Sequence, residues 1–128
     1  MVTKKEVIKQ YLKYLEIACY ETIMGLFSDE AVVKSPLYGD VPASVFYKDL
    51  LNDTSDSKIT LKNIFLSSLN DNTAAAQFEY IWTLKDGKQV IFEVVDLFDF
   101  DLNNKIKQLT IIYDTYPIRS SIAIRSSS

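Results

Sequence analysis

The chain has 128 residues, 48% of them hydrophobic and 24% charged, the profile of one soluble globular domain, so a single domain over residues 1–128 is expected. A net charge of -3 provides no basic field to neutralise a phosphate backbone, which argues against nucleic acid as a partner. With no histidine and one cysteine, Ser-His and Cys-His nucleophile pairs, histidine metal sites and an internal disulfide are excluded, and acid–base chemistry falls to carboxylates, tyrosines or lysines.

The first residues pass into an amphipathic pattern without a continuous apolar run, so neither a secretory signal nor a membrane span is expected, and the expected location is cytoplasmic. Thr3-Lys4-Lys5-Glu6 is a capping-box pattern that starts a helix. Val7, Ile8, Tyr11, Leu12, Leu15, Ala18 and Cys19 recur at helical spacing, which carries that helix to about residue 19 and makes Cys19 a core residue rather than a nucleophile. A second helix is expected over 21–27, broken by Ser28-Asp29-Glu30 before a short edge strand over 31–35.

Pro36, Gly39 and Pro42 punctuate a loop, and 44–51 has the spacing of a third helix with Val45, Phe46, Leu50 and Leu51 inward. Residues 52–57 are polar and read as a loop. A strand over 58–69 changes phase around Asn63-Ile64, as a bulge would make it do, and Asn70-Asp71-Asn72 turns the chain. Ala74, Ala76, Phe78, Tyr80, Trp82 and Leu84 then fall on one strand face, followed by the hairpin signal Lys85-Asp86-Gly87-Lys88.

The return strand QVIFEVVDLFDF, residues 89–100, carries Val90, Phe92, Val94, Phe98 and Phe100 on one face with Asp96 among them. A carboxyl in a wholly apolar row is costly to bury unless it has a task, either to fix the strand through a tyrosine partner or to donate a hydrogen bond to a ligand. The other face bears Ile91, Val95 and Leu97, which need a cover. Asp99 to Asn103 opens like a calcium loop but has Asn104 where the glycine belongs and Thr110 where the glutamate belongs, so no metal is expected. A turn at 102–104 leads to a last strand over 105–116 with Leu109, Ile111 and Tyr113 on one face, and residues 117–128 read as a tail that frays. The order of elements is α+β, with helices gathered on one face of a curved antiparallel sheet that wraps them as a cone.

LFSDEAVVKSP (residues 26–36), VFYKDL (45–50) and VVDLFDFDLNNKIKQL (94–109) resemble the nuclear transport factor 2-like, or cystatin-like, superfamily in its ketosteroid isomerase and SnoaL-like branch, over residues 3–116. In ketosteroid isomerases a first-helix tyrosine and a protonated strand aspartate form an oxyanion hole. The resemblance places Tyr11 and Asp96 in those roles, Tyr47 as the tyrosine supporting Tyr11, and Ser35 where the aspartate base belongs. Asp40, in the same loop, is the nearby carboxylate that could replace it. SnoaL-like cyclases and scytalone-type dehydratases rely on histidine, and the related epoxide hydrolases on an Asp-Arg-Asp arrangement, whereas the only arginines here are Arg119 and Arg125. None of these named chemistries is complete.

The resemblance therefore implies a conical pocket for a small apolar ligand, with Phe46, Phe78, Tyr80, Trp82, Phe92, Phe98 and Tyr113 as its walls and no cofactor. Any catalysis would be isomerase or lyase chemistry with Tyr11 and Asp96 as oxyanion donors. The alternative is a non-catalytic dimerisation or interaction module with a vestigial pocket. In either case a homodimer through the outer sheet face is expected, as is common in the superfamily.

Overall fold

A computed structural model describes residues 2–115. Helix α1 (Lys4–Glu16) begins as the capping box requires: the Glu6 N–H donates to Thr3 Oγ1 at 3.1 Å. It stops earlier than the apolar stripe suggests. Ala18 turns into the left-handed region at φ 57, and the N–H groups of Ala18 and Cys19 bond back to the Leu15 and Tyr14 carbonyls, closing a Schellman motif without a glycine. Ala18 and Cys19 thus leave the stripe, and Cys19 is half-buried at the start of the short α2 (Tyr20–Met24) rather than in the core.

Strand β1 (Phe27–Ser35) starts at Phe27, because Ser28-Asp29-Glu30 is accommodated as an irregularity between the Phe27–Ile106 and Val32–Gln108 pairs instead of ending an element. After Pro36-Leu37-Tyr38, Gly39 at φ +78 reverses the chain, and β2 (Gly39–Pro42) pairs back on β1, where the sequence suggests only loop. Helix α3 (Ala43–Asp53) buries Ala43, Phe46, Tyr47 and Leu50; Val45 faces outward, contrary to expectation, and Tyr47 turns in.

Strand β3 (Thr54–Leu66) follows at once, so the polar residues 54–57 are strand rather than loop. Their hydroxyls explain how polar residues sit there. Thr54 Oγ1 donates to the Leu50 carbonyl and accepts from Trp82 Nε1, both at 2.6 Å, and Ser57 Oγ lies 2.9 Å from the Tyr80 hydroxyl. The expected bulge falls between Leu61 and Asn63. Strands β4 (Thr73–Leu84) and β5 (Gln89–Phe100) alternate as read, with Gly87 at φ +88 in their hairpin. The Asp99–Asn103 segment is a turn in which Asp101 Oδ1 accepts the Asn103 and Lys105 N–H groups. Strand β6 (Ile106–Ile112) ends before Tyr113; the expected strand residue 116, the expected tail and both arginines lie outside the described residues.

The six strands form one sheet in the order β2-β1-β6-β5-β4-β3. All pairs are antiparallel except β1 with β6, which is parallel, so β1 is an interior strand and β2 takes the edge. The fold class is α+β, as expected. The helices cover one face, where the inward residues of β4 and β5 meet those of α1 and α3 in a single core rich in aromatic rings. Among the described residues no helix is long and apolar enough to cross a membrane.

Candidate binding site

Between α1, α3 and the inner faces of β1, β4, β5 and β6 the core is not completely filled. The remaining cavity leaves about 40 Å³ open to the centres of water molecules, room on the order of three waters. Tyr11 reaches it from α1, Phe46 from α3, Phe78, Tyr80 and Trp82 from β4, Phe92 and Asp96 from β5, and Tyr113 from just beyond β6. Ser35 lines it from the end of β1. Leu15, Tyr38, Leu50, Val94 and Ile111 complete the lining. Ser35, Tyr38, Ile111 and Tyr113 are the partly exposed members of this set, so they mark the mouth, while Asp96 is buried.

Three residues expected at the site stand elsewhere. Phe98 is fully buried behind Tyr11, ring edge to ring face at 5.5 Å, because the curvature of β5 carries it under α1 and away from the cavity. Tyr47 is also outside the lining, but its hydroxyl is 2.6 Å from that of Tyr11, the supporting contact that the resemblance implies. Asp40 is exposed on the edge strand β2, opposite Lys34, and does not enter the cavity.

Asp96 is 2% exposed, its cross-strand neighbours are Ala76 and Ile111, and its Oδ1 has no hydrogen-bond partner among the described residues. Burial alone pushes its carboxyl well above the ordinary value of 3.8. The surrounding phenols are driven the same way. Burial, then Tyr47 and Asp96, raise Tyr11 well above 10, and burial raises Tyr47 despite its hydrogen bond with Tyr11. Burial and then Asp96 push Tyr113 up to about 12, and burial raises Tyr80 against its bond to Ser57. Among the described residues the lining therefore presents neutral hydroxyls and one carboxyl favoured in its neutral form, that of Asp96, and no Lys or Arg.

Among the described lining residues Ser35 has no His, Lys or Arg beside it, and Asp96 is the only carboxyl. Its Oγ accepts the Tyr38 N–H at 2.9 Å, which shapes the β1–β2 turn. Tyr38, which sequence reasoning passed over, packs its ring edge-on against Phe46 at 5.4 Å and donates its hydroxyl to Asp53 Oδ2 at 2.6 Å. The available signal was Gly39: reading it as a reversal rather than a loop would have folded Tyr38 back toward α3.

No protein-family model matches the sequence, and no curated protein matches it. The fold is shared with solved structures. The chain superposes on the epoxide hydrolase/cyclase-like enzyme SalBIII, of pyran ring formation in polyether salinomycin, with a TM-score of 0.78 at 14% identity, over 89% of this chain and 92% of that one. An NTF2-like protein of unknown function from Cytophaga hutchinsonii gives 0.72 at 14% identity, over 92% and 96% of the two chains. Another, from Exiguobacterium sp. 255-15, gives 0.71 at 17% identity, over 84% and 98%. The fold is NTF2-like.

Proposed function

We propose that the protein binds a small, mainly apolar molecule carrying an oxygen, which accepts hydrogen bonds from the protonated Asp96 carboxyl and from Tyr11. The observation that carries this reading is the buried Asp96 Oδ1 without a partner, facing a cavity walled by aromatic rings. An unsatisfied polar atom at such depth costs on the order of 1–3 kcal/mol, and a ligand oxygen would relieve that cost. Tyr47 supports the role of Tyr11: when it donates to the Tyr11 oxygen, the Tyr11 proton is released toward the cavity.

The reading is one of binding. Isomerase or lyase chemistry through an enolate would use the same two donors as an oxyanion hole, and it would need a base that the lining does not contain, since Ser35 holds the base position and Asp40 is outside. The cavity volume also implies that a ring-sized ligand displaces the mouth residues on entry.

Trp82 lies in the cavity wall, so its fluorescence reports occupancy. Titration with planar phenols and enones should give saturable quenching in the wild type, weakened in Asp96→Leu and Tyr11→Phe. Absence of a response to every compound, with all three proteins folded, would leave Asp96 as a structural acid.

A second reading concerns the convex face of the sheet, where Phe65, Ile91 and Ile112 are 52%, 58% and 51% exposed. Together with Val95 and Leu97 they support association with a second copy through this face. Sedimentation should give a dimer at micromolar concentration, and an Ile112→Lys monomer.

A further inference from the structure

The chemistry of the cavity is lopsided. Among the described residues that line it, Asp96 is the only carboxyl and none is cationic. Buried carboxyls are ordinarily paired with a cation or held by several donors, and the Oδ1 of Asp96 has neither. Its surroundings are what a cation without a protein partner would need. Phe46, Phe78, Trp82 and Phe92 supply aromatic walls, whose ring faces attract positive charge, and the hydroxyl oxygens of Tyr11 and Tyr113 can accept the remaining N–H bonds of an ammonium group. The volume, a few waters, suits a head group with one or two carbons.

We propose that the cavity also takes small primary ammonium ions, the ligand nitrogen seated on the Asp96 carboxyl between the aromatic walls. This rests on the reading of the cavity as a ligand site anchored by Asp96, and extends it from neutral oxygen compounds to amines. The proton balance differs between the two classes. A neutral oxygen ligand accepts a hydrogen bond from the carboxylic acid and no proton leaves. An ammonium ion keeps its three protons, the Asp96 O–H bond breaks, its proton goes to solvent, and a carboxylate–ammonium pair remains.

The groups facing Asp96 are Tyr11 from α1, Tyr47 from α3, Tyr80 from β4 and Tyr113 beyond β6; burial raises all four, so none of them exchanges a proton near neutrality. One released proton makes amine affinity rise about tenfold per pH unit for as long as Asp96 is protonated in the free protein, and level off above that point.

The test is an NMR titration of the whole chain with methylammonium chloride at several pH values, with potassium chloride as the ionic-strength control and phenol as the neutral probe. Saturable shifts at the Ala76 and Ile111 amides are expected, with affinity rising about tenfold per pH unit and then reaching a plateau, and with binding lost in Asp96→Asn. Phenol binding should be independent of pH where amine affinity rises, and should weaken with pH above the point at which amine affinity levels off. If phenol saturates and methylammonium does no more than potassium chloride, the amine inference is wrong and the ligand site stands. If neither binds, both fall. Methylammonium binding retained in a folded Asp96→Asn, or in a folded Asp96→Leu, would remove Asp96 as its seat.

Discussion

The hydroxyl oxygens of Tyr11 and Tyr47 lie 2.6 Å apart in a fully buried contact, and only Tyr11 reaches the cavity. Two phenols cannot both donate in one bond, so the direction of the Tyr47 proton decides whether Tyr11 has a donor to offer. Tyr47→Phe removes the bond that orients and polarises the Tyr11 hydroxyl, and should weaken binding of a phenol or enone by about tenfold although the ring leaves the cavity walls unchanged, at a cost of about 1 kcal/mol of stability. Tyr11→Phe should weaken binding at least as much. Trp82 quenching and urea denaturation on both variants check this, and unchanged affinity in Tyr47→Phe would mean that its hydroxyl serves stability alone.

Asp96 should make stability depend on pH. Its folded value is raised above the unfolded one, so the folded state holds the proton more tightly. The contribution is fully favourable below about pH 4, and it is lost as pH rises toward the folded pKa, at about 1.4 kcal/mol per pH unit, then stays constant. Asp96→Asn, which cannot ionise, should flatten this limb. Urea midpoints from pH 4 to 8 on the two proteins measure the difference, and parallel curves would show that Asp96 is not raised.

Tyr38 and Asp53 should control access. The cavity is too small for a ring while the Tyr38 hydroxyl is bonded to Asp53 and its edge lies on Phe46. Tyr38→Phe keeps the ring and removes that bond, and a hydrogen bond to a charged group is worth roughly 1.5–3 kcal/mol before solvent weakens it at this partly exposed site. Association and release of a phenol should both accelerate, by about tenfold, with little change in Kd. Stopped-flow Trp82 fluorescence measures both rates; identical rates in Tyr38→Phe would place the entry route elsewhere along the rim.

What could be read from the sequence was what local spacing determines. The inward rows of β4 and β5, the bulge near Asn63 and the isolated Asp96 all follow from a period of two, and the start of α1 from four consecutive residues. The parallel pairing of β1 with β6 joins segments nearly eighty residues apart in the chain, as in Phe27 with Ile106 and Val32 with Gln108, and no local pattern records it. Thr54 and Ser57 read as loop because composition treats hydroxyls as solvated, whereas here they are bonded to Leu50, Trp82 and Tyr80. Phe98 and Asp40 were placed by alternation and by proximity in the loop, neither of which carries the curvature of β5 or the reversal at Gly39.

The end of α1 was missed for a related reason, and it gives a test of the backbone itself. Schellman motifs ordinarily have glycine in the left-handed position, and here Ala18 occupies it at φ 57 with an exposed side chain. The Cβ costs about 1–2 kcal/mol in that conformation, partly offset by the greater freedom that glycine has in the unfolded chain. Ala18→Gly should therefore stabilise the fold by about 0.5–1 kcal/mol, raising Tm by about 2–4 °C. Ala18→Val, whose branched side chain tolerates positive φ still less, should lower it. Although α1 delivers Tyr11 and Leu15 to the cavity, Ala18 is exposed and outside the lining, so both variants should leave ligand affinity unchanged as long as they are folded. Calorimetry on the three proteins decides the matter: a loss of stability in Ala18→Gly would show that the helix end is not strained at Ala18.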